Sequence, residues 1–238
     1  MTTLVPARDW HGLTRQYFRA DGVVGNSLLA LARADPRLDP AGIRAALSGG
    51  KESSRTIFAA VAQLPCGQGW PELESAETFP AAFFAEVARI ADEATRPALA
   101  ISGGLDVAVV LHAWRETGRP LPAVCTLATG LAGYDEVSGA TRIAKRVGAP
   151  LEVISVTPDD LAGLLHEAVR ATEAPIYNHH PVSRLALARA LRSRGFETLV
   201  TGDGADAIFR GRADWDYVPL MASLTEAAGL SLRSPFFA

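Results

Sequence analysis

Cysteine is scarce in this chain, and long apolar segments are missing. The 238 residues contain two cysteines, Cys66 and Cys125, which lie far apart and form no CxxC pair. This excludes a disulfide framework and a zinc site of the usual spacing, so both thiols are predicted to pack in the interior. No uncharged apolar run is long enough to cross a bilayer, and the first residues, MTTLVPARDWHGL, lack the regions of a secretory signal. We therefore expect no membrane association and a cytoplasmic location.

Excess positive charge is also missing. Lys and Arg number 23 against 26 Asp and Glu, which gives a net charge of -3 and a pI near 6.0. Nucleic-acid-binding domains usually carry clustered basic residues, so DNA and RNA are not expected partners. Only Lys51 and Lys145 are lysines. A mechanism that needs a mobile ammonium group has just these two candidates within the chain.

Strand-length apolar runs alternate with helical patterns from residue 81 onward. PALAIS, PAVCTLAT, LEVISVT and FETLVTG are predicted strands, and helical patterns separate them. This order predicts an α/β domain with a parallel sheet and helices on both faces. The first 75 residues are less regular and predict a small N-terminal appendage. We therefore expect domains at residues 1–75 and 76–238, with a linker near residues 69–80.

Two of these strands run into turns that combine glycine with an acid. The first turn reads SGGLD at residues 102–106, and the second reads TGDGAD at residues 201–206. Glycines in a strand-to-helix turn let backbone N–H groups approach a phosphate, although neither turn matches the Walker or GxGxxG pattern. Ligands of parallel sheets bind at the carboxyl ends of the strands, so both turns should face one crevice.

Acidic residues gather at the same two turns. Asp203 and Asp206 follow one strand, and Asp106 follows another. Acids beside a polyphosphate site usually hold Mg²⁺. Helix capping is the alternative role for Asp203 or Asp206, but it does not account for a pair opposite a Gly-Gly turn. The turns therefore predict a joint site for phosphate and Mg²⁺.

Taken in order, these motifs resemble those of the asparagine synthetase family. SGGLD followed by LVTGDGADAIF is similar to that family's SGGLDS loop and TGxGxDExFGG motif. YDEVSGATRIAKRVG, TEAPIYN and LRSPFF are similar to its DE helix, its Glu-x-Pro segment and its R-x-PFLD segment. Upstream, LDPAGIRAALSGG and RTIFAAVAQLPCGQGW resemble the end of the family's glutaminase domain. The resemblance covers residues 27–238.

The resemblance implies an ATP- and Mg²⁺-dependent, AMP-forming ligase. Such an enzyme adenylates a small-molecule or peptide carboxylate, releases pyrophosphate and lets ammonia or an amine attack, here in a specialised biosynthetic pathway. The resemblance implies pyrophosphate binding by the backbone of Ser102, Gly103, Gly104 and Leu105, and nucleotide contacts by Leu127 and Gly202. It also implies Mg²⁺ binding by Asp106 and Asp206 and contact with the activated intermediate by Asp203. Since the family's lysine has no obvious replacement, Arg233 and Arg210 are the candidates to offer positive charge to phosphate, although a guanidinium is no proton shuttle.

Several positions depart from the family pattern. Val107 replaces the serine after SGGLD, Ala207 replaces the glutamate of the second motif, and Arg210 replaces a glycine. Thr2 stands where relatives that hydrolyse glutamine have a cysteine nucleophile, so no glutaminase activity is expected.

The sequence ends at Ala238, where longer relatives continue into helices that supply a lysine. We therefore expect Phe236 and Phe237 to be exposed. We also expect a homodimer or a second protein subunit in which another chain closes the crevice.

Two adjacent histidines, His179 and His180, precede a predicted helix. Neighbouring side chains point apart in most backbone conformations, so we expect no shared metal. A substrate-facing role for one ring is an open hypothesis. Trp114, Trp215 and Tyr217 are assigned to packing, because no basic stripe accompanies them.

Two other functions stay open on the sequence alone. The altered motifs and the missing carboxyl region also fit a noncatalytic or half-catalytic nucleotide-binding subunit, or a scaffold, of a biosynthetic complex. A tRNA-modifying enzyme with the same type of loop is disfavoured by the missing CxxC pair and the acidic charge balance.

Overall fold

The computed structural model describes residues 15–47, 54–64, 77–131, 133–134, 136–210 and 217–237, without the side chains of Ala207 and Arg210. Cys66, Trp215 and most of the predicted linker lie outside these residues. No helix in the described part is long and apolar enough to cross a membrane.

The strands are β1 Tyr17–Arg19, β2 Val24–Gly25, β3 Val61–Gln63, β4 Pro97–Ala100, β5 Ala123–Ala128, β6 Leu151–Ser155, β7 Thr198–Val200 and β8 Ser231–Arg233. The helices are α1 Leu28–Ala32, α2 Pro40–Leu47, α3 Phe79–Glu93, α4 Leu105–Glu116, α5 Val137–Val147, α6 Pro158–Thr172, α7 His180–Ser193, α8 Ala205–Arg210 and α9 Tyr217–Ala227.

In the described part of the chain, the main sheet has five parallel strands in the order β6-β5-β4-β7-β8. All four strands predicted from the apolar runs are present, which confirms the parallel α/β fold. Strand β8 was not predicted, because its three residues are too few for a hydrophobic period to show.

Helices cover both faces of this sheet, as predicted. Leu99 of β4 packs in an apolar cluster with α3, α4 and α5, while its neighbour Ala98 packs in a second cluster with α7. Strands buried on both faces read as continuous apolar runs, which is the pattern seen in the sequence. Trp114 is buried and donates its indole N–H to the Pro120 carbonyl at 3.0 Å, so its packing role is confirmed. Cys125 is also buried, and burial raises the pKa of its thiol to about 12.

The chain order creates a switch point between β4 and β7. From β4 the chain adds β5 and β6 on one side of the sheet, and it then returns to add β7 and β8 on the other. A crevice opens at such a point, because the segments that follow the two strands lead away from each other. SGGLD follows β4 and TGDGAD follows β7, so the two turns lie side by side, as predicted.

The N-terminal residues form a separate antiparallel sheet in the order β2-β1-β3. Glu173, just after α6, joins the helix α1 of this unit to the main sheet's helices. Its carboxylate accepts hydrogen bonds from the Ser27 hydroxyl at 2.7 Å and from the backbone N–H of Leu28. Glu173 is the glutamate of the TEAPIYN segment, so the acid of that segment bonds the start of α1 to the end of α6.

The helix α5 touches the first glycine turn backbone to backbone. A Cβ added at Gly139 would lie 2.5 Å from the Gly103 Cα, a distance that real Cβ atoms essentially never show. Gly139 therefore requires glycine, and a Cβ at Gly103 would lie a tight 3.2 Å from the Gly139 Cα. The contact holds the SGGLD turn against α5.

We predict that Gly139→Ala lowers the free energy of unfolding by about 1–3 kcal/mol, because the added methyl group has no room. Gly163→Ala in α6 is the matched control. Its Cβ would meet nothing within 4 Å, so it should raise stability by about 0.5–1 kcal/mol through the ordinary helix preference for alanine. Urea denaturation measures both, and a Gly139→Ala protein as stable as the parent would refute the contact.

Candidate active site

A cleft of about 750 Å³ lies at the carboxyl ends of β4, β5 and β7. The first turn borders it on one side and the second turn on the other, while the starts of α7 and α9 complete its wall. Among the described residues, four acids line it, Asp106, Glu136, Asp203 and Asp206, together with the guanidinium of Arg184. The volume lies within the range of small-molecule sites.

The first turn presents backbone donors at the start of α4. Gly104 is the N-cap residue, and no side chain caps the helix there. The Ser102 hydroxyl instead accepts the Gly104 N–H at 3.1 Å and stiffens the turn. The first N–H groups of α4 therefore have no capping side chain, which is the arrangement that binds an anion at a helix N-terminus.

The two turns are in direct contact at Gly202. A Cβ at this position would lie 3.0 Å from the Asp106 Cβ and 3.1 Å from the backbone nitrogen and the Cγ1 of Val107. Val107 is half-buried and packs against the first apolar cluster. The family's serine is thus replaced by a side chain that packs inward beside the second turn.

The segment LRSPFF hydrogen-bonds to the second turn and packs against it. The Ser234 hydroxyl donates to the Asp203 carbonyl at 2.7 Å, and the Arg233 carbonyl accepts the Thr201 N–H at 3.0 Å. Gly204 has a φ of +99°, and a Cβ there would lie 2.9 Å from the Phe237 ring. The segment therefore shapes the loop that carries Asp203.

The expectation that Phe236 and Phe237 are exposed is wrong. Phe236 is only 4% exposed and belongs to the first apolar cluster, and Phe237 is half-buried against the second turn. The first apolar cluster accommodates the Phe236 ring, and Phe237 packs against a smaller cluster with Val218. Their predicted exposure thus gives no reason to expect a covering partner.

The structure brings most of the predicted site residues together. Two predicted residues, Gly103 and Leu105, do not line the cleft, and the Leu105 side chain is 76% exposed. Their contribution to a bound phosphate would come from their backbone N–H groups. Arg233 is exposed at the end of β8, and its side chain is not among those that line the cleft. The predicted residues that do line it are Ser102, Gly104, Asp106, Leu127, Gly202, Asp203 and Asp206.

Arg184 is the cationic residue that the sequence reasoning missed. Its Nη2 donates to Asp203 Oδ1 at 3.0 Å and lies 2.9 Å from Oδ2, with both side chains largely buried. The residue sits in SRLALARAL, where the pattern gives no sign that Arg184, unlike Arg189, is largely buried. The charge of Asp203 in the second turn is therefore balanced from α7.

The two histidines lie together rather than apart. The ring centroids of His179 and His180 are 4.2 Å apart, and the Tyr134 ring meets His179 edge-on at 4.3 Å. Both rings line the cleft, because His179 and His180 occupy the N-cap and first positions of α7. Tyr217 also lines the cleft rather than only packing, and burial raises the pKa of its hydroxyl to about 12.

A parallel α/β sheet with two glycine-acid turns at its switch point is an arrangement that binds ligands, as in nucleotide-binding domains. The sequence profile of the asparagine synthase family matches residues 81–237, which is more than half of the chain. The chain therefore belongs to the asparagine synthase family, and its domain is of the ATP-using carbon–nitrogen ligase type.

Two curated proteins match a shorter part of the chain. Amidase chyE from Penicillium rubens is 33% identical over 79 residues, and Amidase chry2 from Gibberella zeae is 29% identical over 79 residues. Each match covers 33% of this chain and 12% of the relative, so only a small part of either relative is represented.

Solved structures show a distant likeness. NMN synthetase from Francisella tularensis has a TM-score of 0.39 and 16% identity, over 56% of this chain and 58% of that chain. The U34-tRNA thiolase NcsA from Methanococcus maripaludis has a TM-score of 0.44 and 19% identity, over 68% of this chain and 60% of that chain. At these scores the likeness carries no functional argument.

We predict that Arg184→Met lowers the free energy of unfolding by about 3 kcal/mol, because it leaves the Asp203 carboxylate buried without its cation. The double variant Arg184→Met/Asp203→Leu should recover most of this loss. Arg189→Met is the control on the same helix: its ion pair with Glu167 has side chains 49% and 38% exposed, so its loss should cost less than about 1 kcal/mol. Equal effects at the two arginines, in urea denaturation, would contradict the buried pair.

Proposed function

We propose that this chain is an ATP-dependent ligase that activates a carboxylate as an acyl-adenylate, releases pyrophosphate and transfers the acyl group to ammonia or an amine. The convergence of SGGLD and TGDGAD on one cleft of about 750 Å³ carries this proposal. Such a volume can enclose a nucleotide beside a small carboxylate.

The charges of the cleft support a role for Mg²⁺. Four carboxylates and one guanidinium line it among the described residues, so a triphosphate would be repelled without a cation between them. No group of three or more metal-binding side chains occurs in the described part of the chain. Nucleotide-bound Mg²⁺ commonly takes one or two protein carboxylates and fills its remaining positions with phosphate oxygens and water. Asp106 and Asp206, which border the same cleft from α4 and α8, fit that requirement.

The remaining residues bind and orient the reacting groups. The uncapped N–H groups at the start of α4 would hold the pyrophosphate, and Leu127 at the end of β5 would contact the adenine. Bound Mg²⁺ would supply charge neutralisation on the leaving pyrophosphate. Asp203, held by Arg184 at 2.9 Å, would face the activated carboxylate from the second turn. Fixed donors and charges of this kind lower the barrier because they need no reorganisation during the reaction.

We expect Asp106→Asn and Asp206→Asn each to weaken Mg²⁺-dependent ATP binding about tenfold or more, through the loss of one charged ligand. Asp159→Asn, at an exposed position of α6 that does not line the cleft, should bind like the parent. Calorimetry with ATP, in the presence and absence of MgCl₂, measures all three. Parent-like affinity in both site variants would remove the metal assignment.

ATP–pyrophosphate exchange tests the activity itself. The protein is given ATP, Mg²⁺, labelled pyrophosphate and one acid at a time from a panel of amino acids, hydroxy acids, aryl acids and short peptides. We expect at least one acid to stimulate exchange well above the acid-free rate. A protein that binds ATP but supports no acid-dependent exchange would refute the ligase and favour a nucleotide-binding subunit.

A further inference from the structure

Unpartnered polar atoms lie where the start of α7 faces the second turn. Among the described residues, four buried side-chain polar atoms have no hydrogen-bond partner, and His179 Nε2, Arg184 Nη1 and Asp203 Oδ2 belong to residues that line this one cleft. Asp203 Oδ2 still has the Arg184 ion pair at 2.9 Å. Buried polar atoms normally have hydrogen-bond partners. We therefore expect a ligand in the cleft to hydrogen-bond to His179 Nε2 and Arg184 Nη1.

The His179 ring is held in one orientation. Its Nδ1 lies 3.2 Å from the Ser183 hydroxyl oxygen, one helical turn further along α7. The rings of Tyr134 and His180 contact it at centroid distances of 4.3 and 4.2 Å. If Nδ1 carries the proton and donates to Ser183, Nε2 presents a lone pair and acts as an acceptor.

The groups around the ring favour its neutral form. Burial and the neighbouring His180 lower the pKa of His179 from its ordinary value, while the Glu136 carboxylate acts in the opposite direction. A neutral imidazole can accept a proton, and a nearby carboxylate then stabilises the imidazolium. Besides Glu136 and His180, the charged or titratable described groups that line the cleft are Asp106, Tyr134, Arg184, Asp203, Asp206 and Tyr217.

We propose that His179 Nε2 is the general base that accepts the proton of the attacking amine, an inference that rests on the proposed function. In this step the amine nitrogen forms a bond to the acyl carbon of the acyl-adenylate. The bond from that carbon to the AMP oxygen breaks, and AMP leaves with the electron pair. The proton moves from the nitrogen to His179 Nε2 and is then released to water.

Other groups are less suited to this role. Asp203 is engaged by Arg184, and its charge is already balanced there. Burial raises the pKa of Tyr217 to about 12, so little of its phenolate is present near pH 7. Lys145 is exposed on α5 and does not line the cleft.

The variant His179→Gln separates activation from transfer. With an acid that supports ATP–pyrophosphate exchange in the parent, exchange should be unchanged, since that half-reaction precedes the amine. Amide formation with ammonia as the probe should fall by about 10²–10⁴. His112→Gln, at an exposed position of α4 outside the cleft, is the matched control and should behave like the parent in both assays.

The pH profile gives a second readout. After correction for the ionisation of ammonia, parent amide formation should be lost as the pH falls through the pKa of His179, below its ordinary 6.5. The His179→Gln protein should lack this limb. Unchanged amide formation in the variant, or an equal loss of exchange and amide formation, would overturn the base assignment.

The tautomer of the His179 ring can be tested without any substrate. Nitrogen-15 NMR of the parent should show the His179 ring neutral at pH 7 with its proton on Nδ1, and the opposite tautomer or a charged ring would overturn the inference. Absence of exchange with every acid in the parent would instead refute the proposed function, and this inference with it.

Discussion

The site depends on a close backbone approach between the ends of β4 and β7. These strands pair in parallel, so SGGLD and TGDGAD leave the sheet side by side. A Cβ at Gly202 would lie 3.0 Å from the Asp106 Cβ and 3.1 Å from the Val107 nitrogen, so glycine lets the second turn rest on the first without displacing it. This approach places the donors of α4 and the acids of both turns around one volume.

Each turn also contacts a second element of the structure. The first turn lies against Gly139 of α5, and the second rests on Phe237 and on the Ser234 hydroxyl bond to the Asp203 carbonyl. Loops fixed on several sides keep their N–H groups and carboxylates in place before a ligand arrives. Such preorganisation gives electrostatic groups their catalytic value, because little free energy is spent in turning them toward the developing charge.

The sequence predicted the parts of this arrangement that leave a local pattern. Apolar runs marked four strands of the sheet, and glycine beside aspartate marked both turns. Arg184 could not be found in this way, because its function comes from the packing of α7 against the second turn and its neighbours in sequence give no sign of it. The burial of Phe236 was missed for the same reason: the pocket that receives it is built by distant residues. The two histidines were noticed, but their contact depends on the way α7 begins.

The central claim is that both turns serve one nucleotide. A crystal structure of the protein with Mg²⁺ and a nonhydrolysable ATP analogue tests this most directly. We expect the phosphates at the backbone N–H groups of residues 102–105, the adenine near Leu127, and the metal between Asp106 and Asp206. A nucleotide bound elsewhere, or one that contacts the first turn alone while the second turn stays apart from it, would contradict the account.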